Sequence, residues 1–309
     1  MGRYVARRLL QMIPVFLGTT FLIYVMVYSL PGDPISALYG DKAADKVFVA
    51  SKRKELGLDD PLVVQYFNYL KNIVLHWDFG KAFNGQPVWN EMKRVFPISL
   101  KLATVAIGFE IVVGVALGVL SGLRRGKFAD RIVLVITLLI ISIPIFVLGR
   151  VIQWTVAIKW DLTKPTVGGE AHWADLMMPG FVLGALAVAF LARVTRTSIV
   201  ENLRADYIRT ATAKGLPRRR VITVHLLRNS MIPMVTLIGT DLGTLMGGAI
   251  VTEGIFNVPG VGYTLFQAIR LKEGPTVIGI VTVLVLIFLA CSLIVDLLYA
   301  VLDPRIRYA

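Results

Sequence analysis

Residues Ala205 to Pro233 read ADYIRTATAKGLPRRRVITVHLLRNSMIP and lie between two apolar runs. In a chain that crosses a membrane this stretch is a loop, yet its residues are those of helices. Ser198 followed by Glu201 has the spacing of a capping box. Tyr207, Ala211 and Lys214 share one helical stripe, with Thr210 beside them. Gly215 suits a helix C-terminus, and Pro217 suits the first turn of a following helix. The pattern predicts two short helices joined at Gly215 and Leu216. From Arg193 to Met231 there are nine Lys/Arg and two acids. Charge alone fits a basic loop held against anionic lipid. The helix–glycine–helix pattern is a further signal that charge does not account for.

The surrounding composition sets the class. Of 309 residues, 56% are hydrophobic, and the mean hydropathy is +0.69. That is too apolar for a soluble chain of this length and points to several membrane-spanning helices. The only cysteine is Cys291, inside an apolar run, so no disulfide within the chain is available. His76, His172 and His225 are scattered and give no metal-ligand spacing. A net charge of +13 matters here by its placement relative to the membrane rather than as a nucleic-acid signal.

Taken in order, Arg3, Arg7 and Arg8 precede the apolar run Leu9 to Leu30, which as a helix is about 33 Å long. The run is too long for a signal peptide and has no small-residue cleavage site, so it reads as an uncleaved first span. Pro31-Gly32-Asp33-Pro34 stops it. Residues 31–97 are charged and aromatic and read as an extracytoplasmic helical insert, with an amphipathic stripe at Val63, Phe67, Leu70 and Val74. Residues 98–309 hold the other five spans: Ile98 to Leu123, Ile132 to about Ile152 with Pro144 as a kink, Met177 to Ala192, Ile232 to Thr252 and Thr276 to Val301. Gly114, Gly118 and Gly122 form a small-residue stripe on the second span, and Gly239, Gly243 and Gly247 another on the fifth.

Charge fixes the expected orientation. With both termini in the cytoplasm, the cytoplasmic segments carry eighteen Lys/Arg and the two short external loops carry four. The insert holds nine Lys/Arg outside, but the positive-inside rule governs short loops and a segment of that length largely escapes it. The fold class expected is an all-α membrane protein with six spans and an extracytoplasmic insert after the first, in the cell membrane, with residues 193–231 as a structured cytoplasmic loop.

The sequence carries no phosphate-binding loop, nucleophile elbow, zinc-protease motif or Cys/His cluster. Nothing argues for an active site, a bound metal or a cofactor on this chain. The charged residues inside spans are Glu110, Arg150, Asp241 and, near the cytoplasmic end, Asp296. Such groups are costly in hydrocarbon and face a cavity or a partner. Glu110 and Asp241 fall near mid-span. One reading is an interhelical hydrogen bond or ion pair; the other is a polar translocation path that meets a cationic substrate group. External Pro259-Gly260 reads as a turn, and Val261 to Ile269 as a short helix dipping toward the bilayer.

The loop resembles the Glu-Ala-Ala loop of ATP-binding-cassette importer permeases. The family pattern falls on Arg209, Thr210, Ala211 and Gly215, of which Ala211 and Gly215 match literally. DYIRTATAKGL followed by HLLRNSMIP is similar to the version in the dipeptide/oligopeptide branch. So are the opening RYVARRLLQMIPVFLGTTFLIYVMVYSLPGDP, the external TEGIFNVPGVGYTLFQAI and the closing DLLYAVLDPRIRY. The resemblance is to the B-type permease of that branch and runs from end to end. It implies a type I-like permease that forms half of a pathway for dipeptides or short oligopeptides with a related second permease. It also implies two cytosolic ATPase domains that bind ATP and magnesium, and an external substrate-binding protein. Coupling to the ATPase would fall on Asp206, Tyr207, Arg209, Thr210, Ala211, Lys214, Gly215 and Leu216, with Arg218, Arg219 and Arg220 facing either acidic ATPase residues or lipid headgroups. The external loop would be an outer gate or a contact for the binding protein, with Glu253, Phe256, Pro259 and Gly260 as candidates, or a simple seal of the bundle.

Two other classes fit part of this picture. A self-contained secondary transporter would also bury acids in its spans, but it would normally show more spans or an inverted repeat. A membrane-embedded enzyme would need a catalytic cluster. Within the same branch, nickel complexes and haem-related compounds are alternative cargoes.

Overall fold

In hydrocarbon every backbone polar group must be satisfied within its own segment, so long apolar runs become helices. The computed structural model describes residues 2–29, 49, 59–82 and 85–302. Among the described residues its regular secondary structure is helical, apart from an isolated bridge between Lys81 and Pro87. Four helices are long and apolar enough to cross a bilayer, and two further bent pairs raise the number to six. Pro31 to Pro34, most of the insert before Asp59, the side chain of Asp296 and the closing Asp303 to Tyr308 lie outside the described residues.

The helices are α1 (Gly2–Tyr28), α2 (Leu62–His76), α3 (Val88–Leu123), α4 (Phe128–Ser142), α5 (Ile145–Lys159) and α6 (Met177–Asn202). They continue as α7 (Asp206–Ala213), α8 (Arg218–Ser230), α9 (Ile232–Phe256), α10 (Val261–Arg270) and α11 (Gly274–Leu302). The chain divides into two units, Met1–Ile98 with Pro259–Ala309, and Ser99–Val258.

In the first unit α2 packs on α1 through aromatic side chains. Tyr24, Tyr66 and Ile278 are buried together, with Tyr28, Leu62, Tyr69 and Leu70 around them. The Tyr24 and Tyr66 rings meet edge-on at 5.7 Å, an arrangement worth about 0.5–1.5 kcal/mol beyond the area it buries. The Tyr66 hydroxyl donates to the Leu17 carbonyl at 2.9 Å and lies 2.8 Å from the Thr20 hydroxyl. Leu17 is roughly 16 Å along the helix from the Tyr28 end of α1. This part of the insert therefore lies alongside the first span. Tyr69 donates to Thr282 of α11 at 2.9 Å.

The stripe expected on α2 is divided: Val63, Phe67 and Val74 are 52%, 62% and 78% exposed, Leu70 packs against the buried Tyr24, Tyr66 and Ile278, and Ile73, outside the stripe, is 4% exposed. The apolar arc is wider than the face that α1 and α11 cover, and periodicity cannot say which half they take. Trp77 ends α2 in the left-handed conformation, with its N–H on the Ile73 carbonyl. The segment after it approaches α11 closely, since a Cβ on Gly279 would collide with the Phe79 carbonyl and, at 2.9 Å, with Val88.

In the second unit α6 is the hub, packed by α3, α4, α5, α8 and α9. Of its span 67% is buried, against 11% for α1. The glycine stripe of α3 makes this approach possible. A Cβ on Gly118 would stand 2.6 Å from the Ala192 carbonyl, and one on Gly122 2.8 Å from Ile199. From the other side, Gly184 of α6 lets the Ala106 carbonyl come within 2.7 Å of where its Cβ would be. The kink expected at Pro144 is a 107° bend between α4 and α5. Proline lacks the N–H the helix would need there, and Ile143 before it is extended. The second span starts ten residues earlier than the hydropathy pattern placed it, at Val88 rather than Ile98, and α6 runs ten residues past Ala192. Polar and charged residues at those ends continue the helix without changing its hydrogen bonding.

The coupling loop and the buried carboxyls

The loop is built on the end of α6. Arg193 to Asn202 continue that helix, so Ser198 is not an N-cap. Its hydroxyl instead donates to the Ser230 carbonyl at 3.0 Å, tying α6 to the end of α8. Ala205 is extended, and its carbonyl accepts from Ile208 and Arg209 to start α7, with Asp206 in the first turn where an acid suits the helix dipole. Tyr207 donates to Asn202 at 2.6 Å, bracing α7 against the α6 terminus.

Gly215 has φ +76°, a conformation open to glycine at no steric cost. Its N–H reaches the Thr212 carbonyl, and the Leu216 N–H reaches that of Ala211, as in a Schellman close. Pro217 stands one residue before α8, and its carbonyl accepts from Arg220 and Val221. The predicted two short helices joined at Gly215 and Leu216 are present. What the pattern did not show is the π-helical turn Val221–Leu226 within α8. Bonds from i to i+5 bring residues five apart toward one face, and Val221 and Leu226 both point inward.

Those two residues meet Ile199, Ile208 and Ala211 in one apolar cluster, with Val119, Leu123 and Leu216 against it. The face of α7 is thereby divided. Ile208 and Ala211 are buried in the chain's own core, and Asp206, Tyr207, Arg209, Thr210 and Lys214 are exposed. Arg218, Arg219 and Arg220 are exposed too. Arg209 lies 3.6 Å from Asp206 on the same helix.

A second anchor lies beside this cluster. Arg196 donates to Asp130 through Nε at 2.6 Å and Nη2 at 2.9 Å. Asp130, on the first turn of α4, also accepts from the Ser121 hydroxyl and, at 2.8 Å, from the Gly126 N–H. One carboxylate thus holds the end of α3, the α3–α4 turn and α6. By composition Arg196 was only one of nine positive charges, and its partner is 66 residues away.

The two mid-span acids come together. Glu110 is fully buried on a π-helical turn, Glu110–Gly114. The carboxyl it faces is that of Asp241, half-buried on α9.

The outer candidates separate. Glu253 is fully buried, and Ser99 donates to its Oε1 at 2.5 Å. Phe256 is also fully buried, and its carbonyl accepts from Val167 at 2.9 Å. Gln153 adds bonds to the carbonyls of Pro165 at 2.6 Å and Ile255 at 3.2 Å. Within this unit Glu253 and Phe256 pin the end of α9. The reversal itself sits at Asn257, left-handed at φ 49°, with the Val258 N–H on the Glu253 carbonyl. Gly260 is extended and begins α10, and Pro259 precedes it, both in the first unit. The turn expected at Pro259-Gly260 is thus one cap earlier, because asparagine tolerates the left-handed conformation that ends a helix.

A bundle of membrane-length helices with an anchored loop is the form of a multi-pass membrane protein. The model of the binding-protein-dependent transport system inner membrane component matches residues 114–308, and that of the N-terminal part of such membrane components matches residues 1–103. The chain is 38% identical to the dipeptide transport system permease protein DppB of Escherichia coli (strain K12) over 338 aligned positions, covering 100% of this chain and 99% of that one. It is likewise 38% identical to the glutathione transport system permease protein GsiC of Salmonella choleraesuis (strain SC-B67) and of Salmonella typhi, with full coverage of both chains. The chain belongs to the family of binding-protein-dependent transport system inner membrane components and is a multi-pass permease subunit of an importer. Its role is transport rather than catalysis, in an assembly with other subunits.

Proposed function

We propose that this permease carries dipeptides or short oligopeptides, forms half of the pathway with a related second permease, and is driven by two cytosolic ATPase domains through α7. An external binding protein delivers the cargo, and both termini and the loop 193–231 lie on the cytoplasmic side. The names of the full-length relatives support the cargo class, and the excess of Lys/Arg in the proposed cytoplasmic segments supports the orientation.

The observation that carries the coupling role is the division of α7. Its inner face is fixed to α3, α6 and α8 through Ile208 and Ala211, and its outer face offers Tyr207, Arg209, Thr210 and Lys214. A push on that outer face moves the bundle rather than a slack loop. Alternating access then follows as a population shift, because the docked ATPase contacts α7 differently in its two states.

The test is co-purification of the ATPase with the permease pair from solubilised membranes. Arg209→Glu combined with Lys214→Glu should abolish capture while leaving the two permeases associated. ATPase capture unchanged by both reversals would refute α7 as the docking element.

A further inference from the structure

Helix α2 leaves Val63, Phe67 and Val74 exposed along one face, and its contacts fix how deep that face lies. The Tyr66 hydroxyl donates to the Leu17 carbonyl, and Leu17 stands about 16 Å inside the Tyr28 end of α1. Tyr69 donates to Thr282, which stands about 12 Å inside the Gly274 end of α11. Half of a bilayer's hydrocarbon is about 15 Å thick. Even allowing for the length of a tyrosine side chain, the middle of α2 lies below the boundary marked by Tyr28 on one span and by Lys272-Glu273 before the other. Two spans thus give the same depth independently.

The ends of α2 are closed, as hydrocarbon requires. The Asp60 carbonyl accepts from the Gln65 side chain at 2.7 Å, and the Pro61 carbonyl from the N–H groups of Val64 and Gln65. At the other end the N–H groups of Trp77 and Asp78 reach the carbonyls of Ile73 and Asn72. From there the chain climbs along α11, with the Phe79 carbonyl against Gly279 and Gly80 beside Pro275. Trp77, Phe79 and Trp89 pack ring against ring at this exit, and the Lys93 ammonium lies 5.5 Å over the Trp89 ring. Tryptophan gathers at the membrane–water boundary. Lys71 borders the apolar stripe, and its long stem carries the charge toward the headgroups. At the depth of Tyr66 the stripe meets either acyl chains or another membrane helix. Helix contacts in membranes favour small residues, and this face offers two valines and a phenylalanine.

We propose that α2 is an interfacial helix sunk into one leaflet beside α1 and α11, with Val63, Phe67 and Val74 against lipid acyl chains. This part of the insert is then a piece of the membrane domain and not of a water-exposed cap. That the leaflet is the outer one rests on the orientation proposed above; the insertion itself does not.

Spin labels on the assembled transporter in liposomes decide it. With Cys291→Ser removing the native thiol, labels are placed singly through Val63→Cys, Phe67→Cys, Val74→Cys and, at the exposed end of the helix, His76→Cys. Labels at 63, 67 and 74 should collide often with oxygen, which concentrates in hydrocarbon, and rarely with a water-soluble nickel chelate. The label at 76 should show the reverse. Nickel collisions at 67 as frequent as at 76 would place the face in water and overturn the proposal. Shielding of 67 from both reagents would show that protein covers it, which also overturns it. A benzophenone attached through Phe67→Cys gives a second readout: adducts with phospholipid are expected, and adducts confined to a second permease or a binding protein would refute lipid as the occupant. Sidedness is read separately. A membrane-impermeant maleimide added to spheroplasts should react with His76→Cys. Reaction only after the membrane is opened would reverse the orientation and leave the insertion standing.

Discussion

Asp130 and Arg196 form a bidentate ion pair between the first turn of α4 and the end of α6, with Nε–Oδ1 2.6 Å and Nη2–Oδ2 2.9 Å. The Asp130 side chain is 3% exposed and that of Arg196 22%, so solvent screens the pair little. Removing one partner from a buried pair costs on the order of 3–5 kcal/mol, because the other charge is left uncompensated. Asp130→Asn and Arg196→Met should each lower the melting temperature of the purified permease pair markedly. Arg196→Lys keeps the charge but not the fork and should fall between these and wild type. A Lys variant as unstable as Met would show that the charge contributes nothing apart from the geometry.

The glycines of α3 and of the turn after it should differ sharply in what they tolerate. Gly118 has the Ala192 carbonyl 2.6 Å from any added Cβ, whereas Gly126 has open space but φ +76°. Gly118→Ala must push α3 and α6 apart, and loss of folded complex on detergent extraction is the expected outcome. Gly126→Ala meets only backbone strain, about 1–2 kcal/mol, and should still assemble. Assembly yields by gel filtration distinguish the two, and the reverse order would contradict the α3–α6 packing.

On α7, Ala211→Glu places a charge among Ile199, Ile208, Val221 and Leu226. It should abolish ATPase capture and also destabilise the permease itself, as judged by protease resistance of the loop. Lys214→Glu, on the exposed side, should leave protease resistance at the wild-type level. If Ala211→Glu were as resistant as wild type, the buried face of α7 would be wrongly assigned.

Along α2, Ile73→Ser removes a side chain that is 4% exposed, and Phe67→Ser one that is 62% exposed. The first should cost about 2–4 kcal/mol, in the range of large-to-small core changes, and the second well under half of that. Tyr66→Phe, which deletes only the hydroxyl facing Leu17 and Thr20, should cost about 0.5–1.5 kcal/mol. Thermal melting of the three variants side by side checks the order.

Much of this molecule is legible in its residues alone. Span existence follows from apolar length, since in lipid each segment must satisfy its own backbone. The α7–α8 joint is legible because Gly215 and Pro217 act on their own backbone angles. The α3 glycine stripe is legible because small residues at helical spacing permit close approach. The resemblance of the loop and of both ends of the chain to importer permeases is likewise carried by the residues themselves.

Only the tertiary structure decided which half of an apolar stripe is covered, as on α2, where Val74 is outside and Ile73 inside. It alone turned Ser198 from a cap into a tie to Ser230, matched Arg196 to Asp130, and set Glu110 against Asp241. It also revealed the π-helical turns at Glu110–Gly114, Gln153–Lys159 and Val221–Leu226, which shift registers that a 3.6-residue period assumes constant. The physical reason is common to all of these. Helix formation in a membrane is decided by the segment's own backbone and hydropathy. Side-chain partnership depends on residues tens to over a hundred positions away, whose approach is set by how the helices pack.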